Sequence, residues 1–400
     1  LKKINVVDSL MGTGKTNFAI KTINENPEKR FIYITPYLDE IKRVKSSTEN
    51  FNKLYEPQYK GTNKNDNLHQ LLKDGKNICS THALFKKANN ITREALKANK
   101  YILILDEVMD VVEELNNFTR DDFSSLIGEL DLAYVEDDFL IWREDKLDYN
   151  GRYNDIKEMS LNKNLVCINE KLLYWNFPVD IFAYFDEVYI LTYLFDAQLQ
   201  KYYYEFFNVK YDKFQVENGM LVNYSKTRER DKVKEISKLI NICEDEKLNA
   251  IGNGKYNMSM QWYKKDDGTL QGILARNLGN WFNNLNRNHK AEARLWTTFN
   301  DFKNNLKGKG YTRNFISINS RATNDYKDTN VLAYTVNRYV KPTLLHFFSK
   351  RNISVNQEQY ALSEMLQWIW RSRIRENKSI DIYIPSKRMR DLLKKYISEE

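Results

Sequence analysis

Ser9-Leu10-Met11-Gly12-Thr13-Gly14-Lys15-Thr16 follows the apolar run Ile4-Asn5-Val6-Val7 and leads into a helical stretch from Asn17 to Ile23. Strand, glycine loop and helix, in that order, is the context a phosphate-binding loop needs. Gly12 and Gly14 let the backbone curl so that several N–H groups converge on one phosphate. The helix N-terminus adds partial positive charge at the same point. On this reading Ser9, Gly12, Thr13, Gly14, Lys15 and Thr16 hold the phosphates of a nucleotide. Lys15 reaches the β- and γ-phosphates and the Thr16 hydroxyl holds Mg²⁺. Ser9 stands where the general pattern has its first glycine. The bland alternative, a chance Gly-Lys-Thr turn, is weak given these flanks.

Such a loop works with an acidic strand end. Tyr101-Ile102-Leu103-Ile104-Leu105 is a continuous apolar or aromatic run, as a central parallel strand requires. It ends in Asp106-Glu107-Val108-Met109. Asp106 is expected to bind Mg²⁺, usually through water, and Glu107 to polarise the attacking water. Carboxylates at the C-terminal end of a strand sit where open α/β sheets bind ligands.

Length and composition frame these motifs. The chain has 400 residues, enough for two or three domains at roughly 100–200 residues each. Hydrophobic residues make up 42% and charged residues 29%, which argues against a largely disordered chain. With 14 Gly and 6 Pro, collagen-like and linker readings are poor. No stretch reaches ~18 consecutive apolar residues, so no membrane span is expected, and Leu1–Val7 does not read as a signal peptide. Cys79, Cys167 and Cys243 and the four histidines are scattered, so neither a disulfide framework nor a structural zinc is expected. A reducing, cytoplasmic location follows as an expectation.

The net charge of +8 is unevenly spread. Residues 201–400 carry a clear excess of Lys and Arg, whereas residues 101–150 hold 3 basic against 15 acidic residues. A basic half suits a polyanion, and on charge alone nucleic acid and a solvated lysine-rich surface stand level. The acidic stretch, with Asp121-Asp122, Glu136-Asp137-Asp138 and Glu144-Asp145, would repel phosphates. It reads as a solvated accessory subdomain, or as a docking site for a partner such as a replication protein.

In series these segments resemble the superfamily 2 helicases and translocases. The glycine loop and the Asp-Glu-x-x box match that superfamily's two nucleotide motifs. Phe31–Leu38, ending its strand in Thr35-Pro36, is similar to motif Ia. Asn77–Phe85, with Ser80-Thr81-His82, is similar to the next DNA-contact motif. Tyr189–Ala197 looks like motif III and Leu295–Phe299, with Thr298, like motif IV. Phe315–Ser320, a further expected strand, and the turn Arg321-Ala322-Thr323-Asn324-Asp325-Tyr326 look like motif V. Gln367–Arg375 resembles motif VI, with Trp370 at the usual Gly and Ile374 at the usual second Arg. More narrowly, the chain looks like the replication helicases of tailed phages and the herpesvirus origin-binding helicase.

The resemblance implies an α/β fold of two tandem RecA-like P-loop NTPase domains, with ATP and Mg²⁺ as cofactors and single-stranded or forked DNA as partner. No separate adenine motif is visible, so ATP comes from the resemblance. The first domain is expected over 1–200, with an insertion at about 113–175. A linker or accessory segment with partly helical packing follows over 201–244, and a second domain over 245–400. Lys15, Asp106, Glu107, Gln367, Arg371 and Arg375 are the expected catalytic set. If the motif VI segment is helical, Arg371 and Arg375 share one face and Arg373 points elsewhere. Thr35, Pro36, Thr81, His82, Thr298, Arg321, Thr323 and Asn324 are the expected nucleic-acid contacts. The implied function is ATP-driven DNA unwinding or translocation in phage replication. The alternatives are a double-strand fork remodeller and an ATP-gated origin-binding or loading protein.

Overall fold

Runs of β-branched and aromatic residues that end in a polar or acidic residue become parallel strands, as burial on both faces demands. The computed structural model describes residues 4–49, 52–59, 63–115, 117–169, 172–318 and 326–398. The expected N-terminal strands are β1 (Ile4–Asp8), β2 (Arg30–Thr35), β3 (Ile78–Thr81) and β4 (Tyr101–Asp106). Next come β5 (Val112–Glu114), β6 (Ala133–Glu136), β7 (Phe139–Trp142), β8 (Leu165–Ile168) and β9 (Leu172–Asn176). The chain then returns through β10 (Glu187–Thr192), β11 (Tyr211–Glu217) and β12 (Met220–Asn223). The last group is β13 (Ile240–Ile242), β14 (Arg294–Thr297), β15 (Val331–Tyr334) and β16 (Ile380–Tyr383).

Among the described residues these strands form three sheets. The first lobe holds a seven-stranded sheet in the order β12-β11-β1-β10-β4-β2-β3, parallel except for its β12 edge. Its register sets Asp8 beside Thr192 and Leu191 beside Asp106, so the carboxyl ends of β1, β10 and β4 finish level. The second lobe holds a parallel four-stranded sheet, β13-β16-β15-β14. Between β4 and β10 the chain leaves the first sheet to make an antiparallel five-stranded sheet, β5-β9-β8-β7-β6. That middle unit has its own small core around Leu126, Trp142, Leu165 and Cys167.

Two expectations are corrected. Residues 201–244 are not a linker. Tyr202, Tyr203 and Tyr204 are buried in the first lobe, β11 pairs in parallel with β1, and β13 enters the second sheet. β11 (Tyr-Asp-Lys-Phe-Gln-Val-Glu) sets Asp212, Lys213, Gln215 and Glu217 among its three apolar or aromatic residues, and that composition hides a strand inside a polar stretch. The segment from Phe315 likewise forms no regular strand over its described residues. Phe315 makes only an isolated bridge to Trp296.

The lobes are also joined away from the sheets. The helix Pro342–Ser349 belongs to the second half by sequence, yet its Leu344, Phe347 and Phe348 sit in the core of the first lobe. The Phe347 ring stacks on Phe206 at 4.6 Å and tilts against Tyr174 at 5.2 Å. The Tyr174 hydroxyl donates to the Thr343 carbonyl at 3.1 Å. Asp138 of the middle unit pairs with Lys350 at 2.6 Å and Arg351 at 3.1 Å. Burying one such phenylalanine contributes about 1.5–3 kcal/mol, so this clasp outweighs any single surface ion pair at ~0–1 kcal/mol.

Candidate nucleotide site

β1 delivers the glycine loop at the carboxyl edge of the first sheet. Ser9 is buried: its N–H donates to the Thr192 carbonyl at 3.0 Å, and its hydroxyl accepts from the Val216 N–H at 2.8 Å. That hydroxyl therefore ties the loop to β11. Gly12 and Gly14 adopt φ of 84° and 87°, the left-handed region that side chains avoid. A methyl group on Gly14 would meet nothing within 4 Å, so the requirement there is conformational and not spatial. On Gly12 it would touch the Arg375 carbonyl oxygen at 3.4 Å, which shows how closely the second lobe approaches.

The first helix, α1 (Lys15–Asn24), starts directly after Gly14, so its first N–H groups face the loop. The Lys15 ammonium donates to the carbonyls of Ser9 at 2.5 Å and Leu10 at 3.2 Å. Burial pulls its pKa below the ordinary lysine value, against the charges of Glu107, Asp8 and Asp106. Opposite it, burial and the neighbouring Glu107 charge push the Asp106 carboxyl up to about 7. The Tyr33 hydroxyl, donating to Asp106 Oδ2 at 2.7 Å, works in the other direction. Glu107 has φ of 68°, a conformation that costs of order 1–3 kcal/mol in a non-glycine residue. Its N–H is held by the Leu191 carbonyl at 2.9 Å, so β10 supports the strained turn.

These groups line one cleft of about 540 Å³ between the lobes. The first lobe contributes Gly12, Gly14, Lys15, Thr16, Thr35, Pro36, Asp106 and Glu107; the second contributes Gln367, Trp370, Arg371 and Arg375. The motif VI segment is not one helix as expected. The helix Gln357–Ile369 ends with Trp370 at its C-cap, and a separate short turn, Arg373–Glu376, begins after Ser372. Arg371 and Arg375 still reach the cleft, through two turns instead of one helical face. Arg373 bonds the Ser379 carbonyl at 2.5 Å.

Among the described residues, the expected nucleic-acid positions do not gather on one surface. Thr35 and Pro36 belong to the cleft. The Thr81 hydroxyl caps the turn His82–Phe85 by accepting from the Leu84 N–H at 3.3 Å. The His82 ring meets the Asp106 carbonyl at 3.1 Å and is buried. Thr298 is wholly buried, so it presents nothing to a strand. Arg321, Thr323 and Asn324 lie outside the described residues. Sequence reasoning missed Tyr33 and Val216. Both act from strands that neighbour the motifs in space, and no spacing in the sequence reveals that.

The residues present fit a magnesium nucleotide. The glycine turns and Lys15 suit phosphate, and the Thr16 and Asp106 oxygens suit a hard divalent cation. Among the described residues no group of three or more His, Cys, Asp or Glu could hold a metal, so phosphate and water would complete the coordination. Also among them, no helix is long and apolar enough to cross a membrane.

Residues 2–118 match the domain described as "Type III restriction enzyme, res subunit". With the glycine turn, the acid pair and the mixed α/β sheets, this makes the chain a P-loop protein of the helicase-like class. Residues 112–175 match the "YonV middle domain", and residues 234–397 match the "YonV C-terminal Rossmann-like domain". The chain is 40% identical over 415 residues to the SPbeta prophage-derived uncharacterized protein YonV of Bacillus subtilis (strain 168), covering 100% of both, and it belongs to the YonV family. Among solved structures, S. tokodaii Xpd4 is similar at 12% identity and a TM-score of 0.43, covering 98% of this chain and 93% of that one. The DUF1998 helicase MrfA bound to DNA is similar at 11% identity and a TM-score of 0.35, covering 100% of this chain and 46% of that one. At these scores neither structure bears on function.

Proposed function

We propose that the chain is a superfamily 2 ATP-dependent DNA helicase or translocase, built on two tandem RecA-like domains and serving phage DNA replication. The observation that supports this reading is the shared cleft: Lys15 and Glu107 of one lobe and Arg371 and Arg375 of the other line the same 540 Å³. A nucleotide between them links the lobes, and its hydrolysis releases them. Lys15 would leave the Ser9 and Leu10 carbonyls for the β- and γ-phosphates. Glu107 orients the attacking water, and Gln367 lines the same cleft from the second lobe. Arg371 and Arg375 supply positive charge to the departing phosphoryl group. Mg²⁺, held by Thr16 and Asp106 when bound, would neutralise phosphate charge.

Two further readings stand beside it: a double-strand fork remodeller that uses the same motor, and an ATP-gated loader that uses nucleotide only as a switch. The deciding measurement is ATP turnover with and without DNA, followed by strand displacement on 3′- and 5′-tailed DNA and RNA. DNA-stimulated turnover with displacement supports a helicase. Stimulated turnover without displacement moves the reading to the remodeller. Turnover that ignores DNA defeats the motor assignment.

A further inference from the structure

We infer that the second lobe carries a base-stacking site for unpaired DNA, centred on Tyr256 and Tyr339, in a groove of about 1340 Å³. The groove lies where the parallel strands of the second sheet end: Phe299 follows β14, Tyr339 follows β15 and Arg388 follows β16. Carboxyl edges of such sheets are where ligands settle. The inference rests on the DNA-motor reading and specifies how that motor grips a single strand.

Three side chains form a fixed stack. The Arg388 guanidinium donates to Asn337 Oδ1 and the Arg338 carbonyl, both at 2.8 Å, and to the Gln357 carbonyl at 3.2 Å. So held, it lies 4.2 Å from the centre of the Tyr339 ring. The Tyr339 hydroxyl donates to the Lys255 carbonyl at 2.9 Å, which fixes that ring in turn. Tyr256 follows, its ring centre 5.8 Å from that of Tyr339 and tilted by 41°. At 61% exposure Tyr256 is the open end of the series.

The charges around it select an anionic occupant. Lys255, Lys265, Lys341 and Arg388 border the groove. Arg338 adds a fifth basic group, and three acids share the lining, Asp266, Asp267 and Glu358; Asp266 accepts from the N–H groups of Leu270 and Gln271, and Asp267 from that of Thr269. These bonds tie both aspartates to the first turn of the helix Thr269–Asn280, and the five basic groups outnumber the three acids along the groove. Aromatic faces beside a basic track bind single strands by stacking successive bases, and a duplex keeps its bases stacked on each other. The groove is also continuous with the motor. Tyr339 and Lys341 line both it and a smaller interlobe recess, and Gln367 lines that recess and the nucleotide cleft.

The test uses the full chain and a fluorescent oligo-dT of roughly 16 nucleotides, followed by anisotropy. Tyr256→Ala should weaken binding about tenfold, the loss of one base–aromatic stack. Tyr256→Phe, which keeps the ring, should bind like the wild type, and ATP turnover without DNA should be unchanged in both. Blunt duplex DNA should bind the three proteins equally. The inference is overturned if Tyr256→Ala binds like wild type, if Tyr256→Phe is as weak as Tyr256→Ala, or if an RNA strand of matching sequence binds more tightly than the DNA. A wild-type chain that turns over ATP but binds no single strand removes this site and leaves the nucleotide reading standing. Tyr256-dependent binding without any turnover does the reverse.

Discussion

The two banks of the nucleotide cleft are built differently. On the first-lobe bank the glycine loop is local: Gly12 and Gly14 take positive φ, and α1 starts at Lys15 within a single turn. On the second-lobe bank the residues that reach the cleft are separated by a helix end, a C-cap and a second short turn. Arg371 and Arg375 arrive together only because Trp370 and Ile374 are buried in the core beneath them. A short-range dihedral requirement fixes the glycine loop, and long-range packing fixes the second bank.

That contrast can be broken by substitution. The largest effect is expected at the second bank: Arg371→Ala or Arg375→Ala should lower kcat for ATP by about 10³-fold if the residue is the arginine finger. An unchanged kcat in both variants would mean that the bank does not reach the phosphoryl group. Lys15→Ala and Glu107→Gln test the first bank and should lower turnover by about 10²–10³-fold. If turnover survives in both, the cleft is not the ATP site.

The clasp tests how far the second bank depends on packing at a distance. Phe347→Ala removes a wholly buried ring that joins the lobes and should cost about 3–5 kcal/mol in urea denaturation. A cost near zero would show that the lobes do not need the clasp. Next in size is a pH effect on the first bank. Burial raises the Asp106 carboxyl to about 7, so the folded chain favours the neutral form. An unfolded Asp titrates near ~3.9, so this contribution is intact below that pH and is lost as pH rises towards 7. Asp106→Asn removes the loss. Relative to wild type, the variant should gain stability between pH 4 and pH 8, on the order of 2–4 kcal/mol in nucleotide-free protein. A stability difference that does not vary with pH would contradict the burial argument. The smallest effect is expected at Arg373→Ala, whose guanidinium bonds Ser379, with turnover close to wild type. A drop as large as that of Arg371→Ala would reverse the assignment of the two arginines.

The middle unit and the 201–244 segment differ in the same way in how legible they were. The acidic stretch between β4 and β10 stood out by charge, and it forms a separate sheet with its own core. Yet Asp138, one of its acids, is engaged by Lys350 and Arg351 of the second half, a pairing that composition cannot show. The 201–244 segment looked like a linker because of its many charges, Asp212, Lys213 and Glu217 of β11 among them. Only its pairing with β1 shows it to be part of the first sheet.

The nucleic-acid residues were the least legible part of the site. The segments read as motifs Ia to IV do form the strands β2, β3, β10 and β14. However, whether a threonine there meets solvent depends on what packs over it, and Thr298 is wholly covered while Thr81 caps a turn.

The sequence by itself determined the glycine loop, the acid pair and the buried parallel strands that carry them. Each rests on dihedral freedom, helix polarity or unbroken apolarity, which act over a few neighbouring residues. Tertiary structure alone decided that Tyr33 holds Asp106, that Val216 holds Ser9, that Arg371 and Arg375 share a cleft with Lys15, and that Tyr256 stands exposed beside Tyr339. Those are contacts between residues far apart in the chain, and close packing of strands and helices, not local preference, sets them.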